Sequence, residues 1–229
     1  MLIIRQLNYT YPHSRSGLRE INLEVPAGMR LALVGKNGSG KTTLLLHIVG
    51  LLDGSGHMEI AGLERKGGNM AEIRRRVGFL FSQVEYQFIM PDVLNDVLLG
   101  VRRDGASGEE ALEEARRWLS RFGLEKYQGS SPLELSSGEM KRAALAGILA
   151  SGPRLLLLDE PLNNLDRENS LALIASLKSL ETTMILSTHR DLLVRELATH
   201  VALMEEGTIA GIYPRREALK RRDITALLF

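Results

Sequence analysis

The sequence contains the stretch Leu31–Leu46, LALVGKNGSGKTTLLL, in which an apolar run, a glycine-rich loop and a helix-forming run follow one another directly. The loop fits the pattern G-x-x-x-x-G-K-[ST], with Gly35, Gly40, Lys41 and Thr42 at its fixed positions. Glycines let successive backbone N–H groups form a concave nest at a helix N-terminus, where the helix dipole favours a phosphate. Lys41 adds a positive charge for the outer phosphates, and the Thr42 hydroxyl is placed to bind magnesium. The stretch therefore predicts a nucleoside-triphosphate site on a strand–loop–helix unit.

The composition of the chain is that of a globular protein with a sizeable core: 229 residues, 44% hydrophobic and 25% charged. A net charge of +1 provides no overall field that would favour nucleic acid, so we expect no nucleic-acid partner. Cysteine is absent, which excludes disulfides and thiolate metal sites. No apolar run approaches the roughly 18 residues of a membrane span. If the protein works at a membrane, we expect it to do so through a partner.

Three apolar runs each end in residues that can carry chemistry: Leu31–Val34, Leu155–Leu158 and Thr183–Ser187. Continuous apolar runs of this length are typical of buried strands in a parallel sheet that is covered on both faces. Ligands bind at the carboxyl ends of such strands. We therefore expect the phosphate loop, the Asp159–Glu160 pair and His189 to meet at one edge of the sheet, although they lie far apart in the sequence.

Further strands and helices are predicted around this sheet. The clearest amphipathic helix spans 107–122, and Ser107 with Glu110 has the spacing of a capping box at its start. Residues 102–108 are polar and are predicted to form a surface loop. The remaining predicted elements are strands at Leu2–Leu7, Ile21–Val25 and Val77–Phe81, a helix from Ser136 to about Ser151 that also opens on a capping box, and a helix capped by Asp166.

The acidic pair at the end of the second apolar run suits phosphate chemistry. A carboxylate at that position, Asp159, can bind magnesium through water beside a phosphate loop. Glu160 could orient or polarise an attacking water. The alternative interpretation is that the two acids only cap a helix, and the pair alone does not decide between these interpretations.

The order of four motifs resembles that of the ATP-binding-cassette (ABC) ATPases. The phosphate loop is followed by Leu135–Glu139 (LSSGE), then by Leu155–Pro161 (LLLLDEP) and by Ser187–His189 (STH). The resemblance implies an α/β, P-loop NTPase fold in a single ABC ATPase domain, 1–229. Its mostly parallel core and antiparallel N-terminal β subdomain would occupy about 1–83 and 153–229, and a helical signature-motif subdomain about 84–152.

The same resemblance implies roles for individual residues. Glu160 is similar to the catalytic glutamate and His189 to the switch histidine. Asp166 lies in a segment similar to the D-loop. The implied nucleotide-binding residues are Tyr11, Gly35, Lys36, Asn37, Gly38, Ser39, Gly40, Lys41, Thr42 and Thr43, with Tyr11 stacking on adenine. The implied magnesium-binding residues are Thr42, Gln83 and Asp159, and the signature residues that act on ATP held by a second subunit are Ser136, Ser137, Gly138 and Glu139.

Within that family the chain resembles the ATPases of energy-coupling-factor importers of vitamins and metal ions, including cobalt and nickel types. The resemblance rests on Tyr9–Pro12, Val77–Phe81 and Glu85–Phe88. Several positions depart from the family pattern, among them Glu139, where glutamine is commoner, and Val84, where proline is normal. Ser82 stands where a glutamine normally follows Phe81, with Gln83 one residue later, and Ser137 stands where the signature normally has glycine. These departures favour a heterodimer with unequal ATP sites over a homodimer.

The implied function is ATP hydrolysis, with Mg²⁺ as cofactor, that powers an importer. The implied partners are a second ABC ATPase subunit and an integral membrane subunit, which would place the protein peripherally at the cytoplasmic face of the cell membrane. The segment Ser82–Pro91 is predicted to couple to the membrane subunit through its large apolar side chains, unless these pack into the protein's own core. The alternatives are a soluble ABC ATPase of DNA repair or translation and a P-loop kinase or GTPase.

Overall fold

The protein is described by a computed structural model that covers residues 1–12, 17–102 and 107–229. Its centre is a six-stranded sheet with the strand order β10–β9–β3–β8–β7–β6. All neighbouring strands are parallel except β10, which pairs antiparallel with β9. The strands are β3 (Arg30–Val34), β6 (Val77–Leu80), β7 (Leu155–Asp159), β8 (Thr183–Ser187), β9 (His200–Glu205) and β10 (Thr208–Pro214). The prediction of a mostly parallel core is confirmed.

A second, four-stranded sheet is antiparallel and has the order β2–β1–β4–β5. Its strands are β1 (Leu2–Thr10), β2 (Gly17–Val25), β4 (Ser55–Ile60) and β5 (Leu63–Glu64). β1 ends at Thr10, three residues beyond its predicted end at Leu7. Its pairing register with β2 shifts between Ile4 and Leu7 and again between Leu7 and Tyr9. Because of this extension Tyr9 lies within the strand and Tyr11 follows it directly. The predicted antiparallel N-terminal sheet is confirmed.

The helices are α1 (Lys41–Ile48), α2 (Met70–Arg76), α3 (Val93–Arg102), α4 (Gly108–Arg121), α5 (Ser137–Ala150), α6 (Arg167–Lys178), α7 (Asp191–Leu197), α8 (Arg215–Ala218) and α9 (Arg222–Thr225). Helices α1 to α7 lie in the connections between these strands, and α8 and α9 follow β10. Helices α3, α4 and α5 all fall between β6 and β7 and pack on one another. They form the helical part of the molecule, and its treatment as a subdomain at 84–152 stays a prediction.

The central sheet has a separate hydrophobic core on each face. Alternate residues of a strand enter opposite cores, so that Leu31 and Leu33 face the antiparallel sheet while Ala32 and Val34 face the larger helices. The strand β7 shows the same alternation, and all five of its residues are buried. Continuous apolar runs are needed because neither face of these strands meets water.

The predicted helix at 107–122 is present, but its predicted capping box is wrong. Ser107 is the N-cap of α4, but its side chain makes no capping hydrogen bond. The reason is the next residue, Gly108, whose φ of +68° lies in the left-handed region and turns the first helical turn away from the Ser107 hydroxyl. The predicted surface loop at 102–108 falls mostly on 103–106, which lie outside the described residues. At α5, in contrast, the predicted capping box of Ser136 and Glu139 is present.

Candidate functional site

The phosphate loop lies between β3 and α1 and is held from behind by the β9–β10 turn. The Gly207 N–H donates to the Ser39 carbonyl over 3.0 Å. A Cβ at Gly35 would lie 2.3 Å from the Met204 carbonyl, so that only glycine lets the loop approach β9 this closely. Gly40 has a φ of +103° at the N-cap of α1, a conformation that other residues rarely adopt. The glycines at 35 and 40 thus serve close packing and a left-handed turn.

Lys41 crosses the inside of this loop. Its Nζ donates to the carbonyl oxygen of Gly35 over 2.7 Å and to that of Lys36 over 3.2 Å. Burial lowers the pKa of Lys41, and the neighbouring Glu160 and Asp159 carboxylates oppose that shift. The ammonium therefore sits between the loop carbonyls and the acidic pair at the end of β7, in the position needed to meet a triphosphate.

The hydroxyl of Thr42 and the carboxylate of Asp159 are the oxygen groups of the site that suit a magnesium ion. Thr42 Oγ1 donates to both Asp159 oxygens, at 3.0 and 3.1 Å, and Ser187 Oγ donates to Oδ1 at 2.5 Å. Mg²⁺ prefers such oxygens and usually binds through one or two carboxylates together with substrate phosphates. In residues 1–12, 17–102 and 107–229 there is no cluster of three His, Cys, Asp or Glu side chains that could hold a metal by itself. The donor set present fits magnesium bound jointly by protein and nucleotide.

Glu160 and His189 form a second pair beside the first. His189 Nδ1 lies 3.0 Å from Glu160 Oε2, and both side chains are largely buried. Glu160 has a φ of +45°, and its N–H donates to Ser187 Oγ at 3.0 Å and to the Ser187 carbonyl at 3.2 Å. Apart from His189, Oε2 has no polar partner in the described part of the chain. The contact is an ion-pair distance without hydrogen-bond geometry, so the buried Oε2 accepts no hydrogen bond from the described residues.

Of these side chains, Lys41, Thr42, Glu160 and His189 line one cavity of about 470 Å³, whereas Asp159 and Ser187 are buried and do not line it. Tyr11 stands at its rim, where its hydroxyl lies 3.2 Å from Thr43 Oγ1 and its ring packs edge-on against Tyr9 at 4.9 Å. The residues lining the cavity are Tyr11, Gly17, Asn37, Gly38, Gly40, Lys41, Thr42, Thr43, Glu160, Asn163 and His189. The structure thus brings together most of the residues that the sequence motifs indicated, as the convergence of strand ends requires.

Some predicted site residues lie elsewhere. Lys36 and Ser39 line a neighbouring cavity of about 600 Å³, which shares Asn37 and Gly38 with the first. Gln83 is exposed and does not line the nucleotide cavity, so its role in binding magnesium stays a prediction. A different glutamine, Gln87, holds the end of β6 by donating to the Phe79 carbonyl at 3.0 Å and accepting from the Phe81 N–H at 3.2 Å.

The signature segment Ser136–Glu139 begins α5 and does not line the nucleotide cavity. Glu139 Oε2 accepts from the Ser136 N–H at 2.9 Å and from its hydroxyl at 2.7 Å, while Tyr127 donates to Oε1. The Tyr127 hydrogen bond, with those from Ser136, lowers the pKa of Glu139 to about 2. The segment is therefore a capped, anionic helix start that presents Ser136 and Ser137 to solvent.

Lys141, on α5, binds the loop that follows β7. The sequence motifs did not indicate this residue. Lys141 is 3% exposed, and its Nζ donates to the carbonyls of Pro161, at 3.0 Å, and of Asn163. Its neighbour Arg142 donates to Asn169 Oδ1 at 3.0 Å, and the Asn169 N–H donates to the Asp166 cap at 2.8 Å. The sequence signal that could have identified Lys141 is a lysine on the buried face of an otherwise apolar helix. The sequence could not show which groups this lysine binds.

The parallel sheet, the phosphate loop and the carboxylate at the end of β7 define a P-loop nucleoside triphosphatase. The chain matches the family model "ABC transporter" over residues 18–163 and belongs to that family of ATP-hydrolysing cassettes. It is 34% identical over 236 residues to the energy-coupling factor transporter ATP-binding protein EcfA of Methanothermobacter thermautotrophicus, covering 98% of this chain and 76% of that one.

Two solved structures share the fold closely. The structure of cbiO1 from Clostridium perfringens, part of the ABC transporter complex cbiONQ, superposes with a TM-score of 0.85 at 28% identity over 97% of this chain and 92% of that one. The ATP-binding cassette MJ0796, solved as a dimer in a post-hydrolysis state with ADP and Pi, gives a TM-score of 0.84 at 26% identity over 94% and 99%. In the described part of this chain no helix is long and apolar enough to cross a membrane.

The burial of Lys141 predicts a specific dependence of stability on pH. Burial lowers its pKa from 10.5 to about 8, while Glu85 and Glu160 oppose the shift. Between these values the unfolded chain binds the proton that the folded chain has lost, so the free energy of unfolding rises with pH by up to about 1.4 kcal/mol per pH unit. Denaturant unfolding from pH 7.5 to 10.5 should show this rise in wild type and not in Lys141→Met. If the free energy of unfolding changes with pH in the same way in both proteins, the prediction is wrong. The control is Lys220→Met, at an exposed lysine.

Proposed function

We propose that this chain is the ATP-hydrolysing subunit of an ABC-type importer, of the energy-coupling-factor kind that takes up vitamins or metal ions. The observation that carries the proposal is one cavity lined by the phosphate loop, by Thr42, whose hydroxyl donates to the buried Asp159, and by the Glu160–His189 pair. The energy-coupling-factor assignment is supported by the 34% identity to EcfA and by the fold shared with cbiO1. The cargo would be selected by another subunit, since this chain supplies the nucleotide site.

The phosphate loop would hold the triphosphate through its backbone N–H groups and Lys41. Adenine would stack on Tyr11, which stands at the rim of the cavity. Thr42 and, through water, Asp159 would hold Mg²⁺, which when bound neutralises charge on the β- and γ-phosphates. Ser187 keeps the Asp159 carboxylate turned toward Thr42.

Glu160 would act as the general base toward the attacking water. Its backbone is fixed to Ser187, and its carboxylate is oriented by His189 Nδ1. A carboxylate held in this way is positioned before the water arrives, which lowers the cost of reaching the transition state. His189 lines the same cavity, so that it can respond to the presence of the γ-phosphate.

A complete site would need a second cassette. The signature segment lies outside this chain's own cavity, and the MJ0796 structure is a dimer of cassettes. We infer that Ser136, Ser137 and Gly138 contact ATP held by the partner, while the partner's signature segment completes this site. α5 spans 14 residues, and the N-terminus of such a helix favours a phosphate through its dipole.

The energy-coupling-factor ATPase would sit peripherally at the cytoplasmic face of the membrane. Two large apolar residues of the Ser82–Pro91 segment are strongly exposed, Tyr86 at 84% and Ile89 at 80%. Phe88 instead packs against the core, so for this residue the expectation of a partner-facing side chain is wrong. Tyr86 and Ile89 remain as the apolar surface for a membrane subunit.

Replacing the proposed base should separate binding from turnover. Glu160→Gln keeps the shape of the side chain but removes the carboxylate charge, so ATP affinity should stay within about twofold of wild type. General-base catalysis contributes typically 10²–10⁴-fold, and we expect a loss of hydrolysis of roughly that size. Glu181→Gln, on an exposed surface, is the matched control. Normal hydrolysis by Glu160→Gln in the assembled complex would refute the base.

The subunit composition can be measured directly. Because Ser137 and the Ser82–Gln83 pair depart from the family pattern, we expect a heterodimer with one second ATPase of different mass. Native mass spectrometry of the purified complex should show one copy of this 25.4 kDa chain for each such partner. Two copies of this chain with no second ATPase would establish the homodimer instead.

Docking on the membrane subunit should depend on the exposed apolar pair. The double variant Tyr86→Ser, Ile89→Ser should bind ATP as wild type does, because neither residue lines the nucleotide cavity. Its retention on membranes that contain the partner should fall sharply, as should transport. Leu51→Ser, at a 54% exposed leucine, is the control. Undiminished retention of the double variant would place the docking surface elsewhere on the molecule.

A further inference from the structure

The ring of Phe229 stacks on the imidazole of His189, a residue forty positions earlier in the chain. The ring centroids are 4.5 Å apart and the planes are inclined by 29°. The Phe229 N–H donates to the His189 carbonyl at 2.9 Å, and the Asp191 N–H donates to the Phe229 carbonyl at 3.4 Å. Phe229 is therefore attached to the residues that follow β8 by its side chain and by both of its backbone polar groups.

The segment that carries Phe229 also borders the phosphate loop. Asp223 and Leu227 line the cavity of about 600 Å³ to which Lys36 and Ser39 also contribute. Asn37 and Gly38, at the tip of the loop, belong to that cavity and to the nucleotide cavity. Residues 222–229 thus run from one flank of the phosphate loop to the histidine on its other side.

Burial does not explain the position of Phe229. The residue remains 80% exposed, so it removes little apolar surface from water and contributes little hydrophobic stabilisation. What the stacking does is restrict one face of the His189 ring. His189 can orient Glu160 only while Nδ1 points at Oε2, at the observed 3.0 Å. Movement of the imidazole out of its present plane, away from Glu160, would break the aromatic contact.

We propose that Phe229 is a positioning residue for ATP hydrolysis, which acts by holding the His189 ring against Glu160. The inference rests on the proposed roles of those two residues. Phe229 does not line the nucleotide cavity, so its contribution falls on turnover and not on nucleotide binding. A planar ring is required at this position, because an aliphatic side chain of similar size cannot stack on the imidazole.

The test compares three variants of the full chain with wild type. Phe229→Ala removes the side chain, Phe229→Leu keeps an apolar group without a planar ring, and Phe229→Tyr keeps the ring. At saturating Mg-ATP the first two should lower kcat by roughly two- to tenfold, the change that corresponds to the loss of one aromatic pair. Phe229→Tyr should retain wild-type kcat, and ATP affinity should be unchanged in all three. Leu51→Ala serves as a control at another exposed apolar residue.

A second measurement reports on the ring contact itself. Removal of the stacked ring abolishes its ring current at His189, so the His189 imidazole resonances should shift in Phe229→Ala and Phe229→Leu but little in Phe229→Tyr. Wild-type kcat in Phe229→Ala, or equal kcat in the leucine and tyrosine variants, would overturn the inference. So would a loss of ATP affinity or thermal stability that accounts for the lower rate.

Glu160→Gln in the same assay separates the two levels of the proposal. If Glu160→Gln hydrolyses ATP normally, the proposed catalytic base is wrong. If Glu160→Gln is inactive while Phe229→Ala is normal, the base stands and only the positioning role of Phe229 fails.

Discussion

The buried carboxylate of Asp159 joins the strand ends from which the nucleotide site is built. It lies at the end of β7 and accepts hydrogen bonds from Thr42, at the start of α1, and from Ser187, at the end of β8. A carboxylate that is 3% exposed costs free energy unless hydrogen bonds replace its lost hydration. The two hydroxyls meet that requirement and at the same time fix the phosphate loop relative to the neighbouring strands.

The phosphate loop is also supported from its other side, so that its shape does not depend on a ligand. The β9–β10 turn donates to the loop through Gly207, and Lys41 bonds the loop carbonyls from within. The close approach of Gly35 to Met204 leaves no space for a side chain. A site that is ordered before its ligand binds spends less binding free energy on ordering the backbone. Affinity for a triphosphate can then come from the N–H groups and the ammonium.

Beyond the nucleotide cavity, the structure links the two surfaces that a dimer would use. Lys141 ties α5 to the loop after Glu160, and Arg142 ties it to the Asp166 cap through Asn169. In the proposed dimer the start of α5 serves the partner's nucleotide, while the loop after Glu160 serves this chain's own. Hydrogen bonds from buried charged groups resist displacement, because leaving such a group unpaired in the interior is costly. The two surfaces are thereby held in a fixed relation.

The sequence alone determined the elements of the fold and most of the nucleotide site. Short apolar runs without alternation, such as Leu155–Leu158, are typical of strands buried on both faces, and parallel strands bring their carboxyl ends to one edge. That rule, with the phosphate-loop motif, predicted that Lys41, Asp159, Glu160 and His189 would meet. Local patterns also predicted the capping box at Ser136, since its two residues lie within one helical turn.

Only the tertiary structure decided the contacts between residues that share no local pattern. Nothing in the sequence pairs Lys141 with the Pro161 carbonyl or Phe229 with His189, because backbone carbonyls and aromatic faces carry no motif. The tertiary structure also decided that Phe88 packs inward while Tyr86 and Ile89 face solvent. Which side chains are buried depends on how the segment Ser82–Pro91 lies against the helical core. At Ser107 the left-handed turn of Gly108 overrode a correct local spacing. Spacing along the chain predicts geometry only where the backbone follows a regular path, and the packing of distant segments sets the rest.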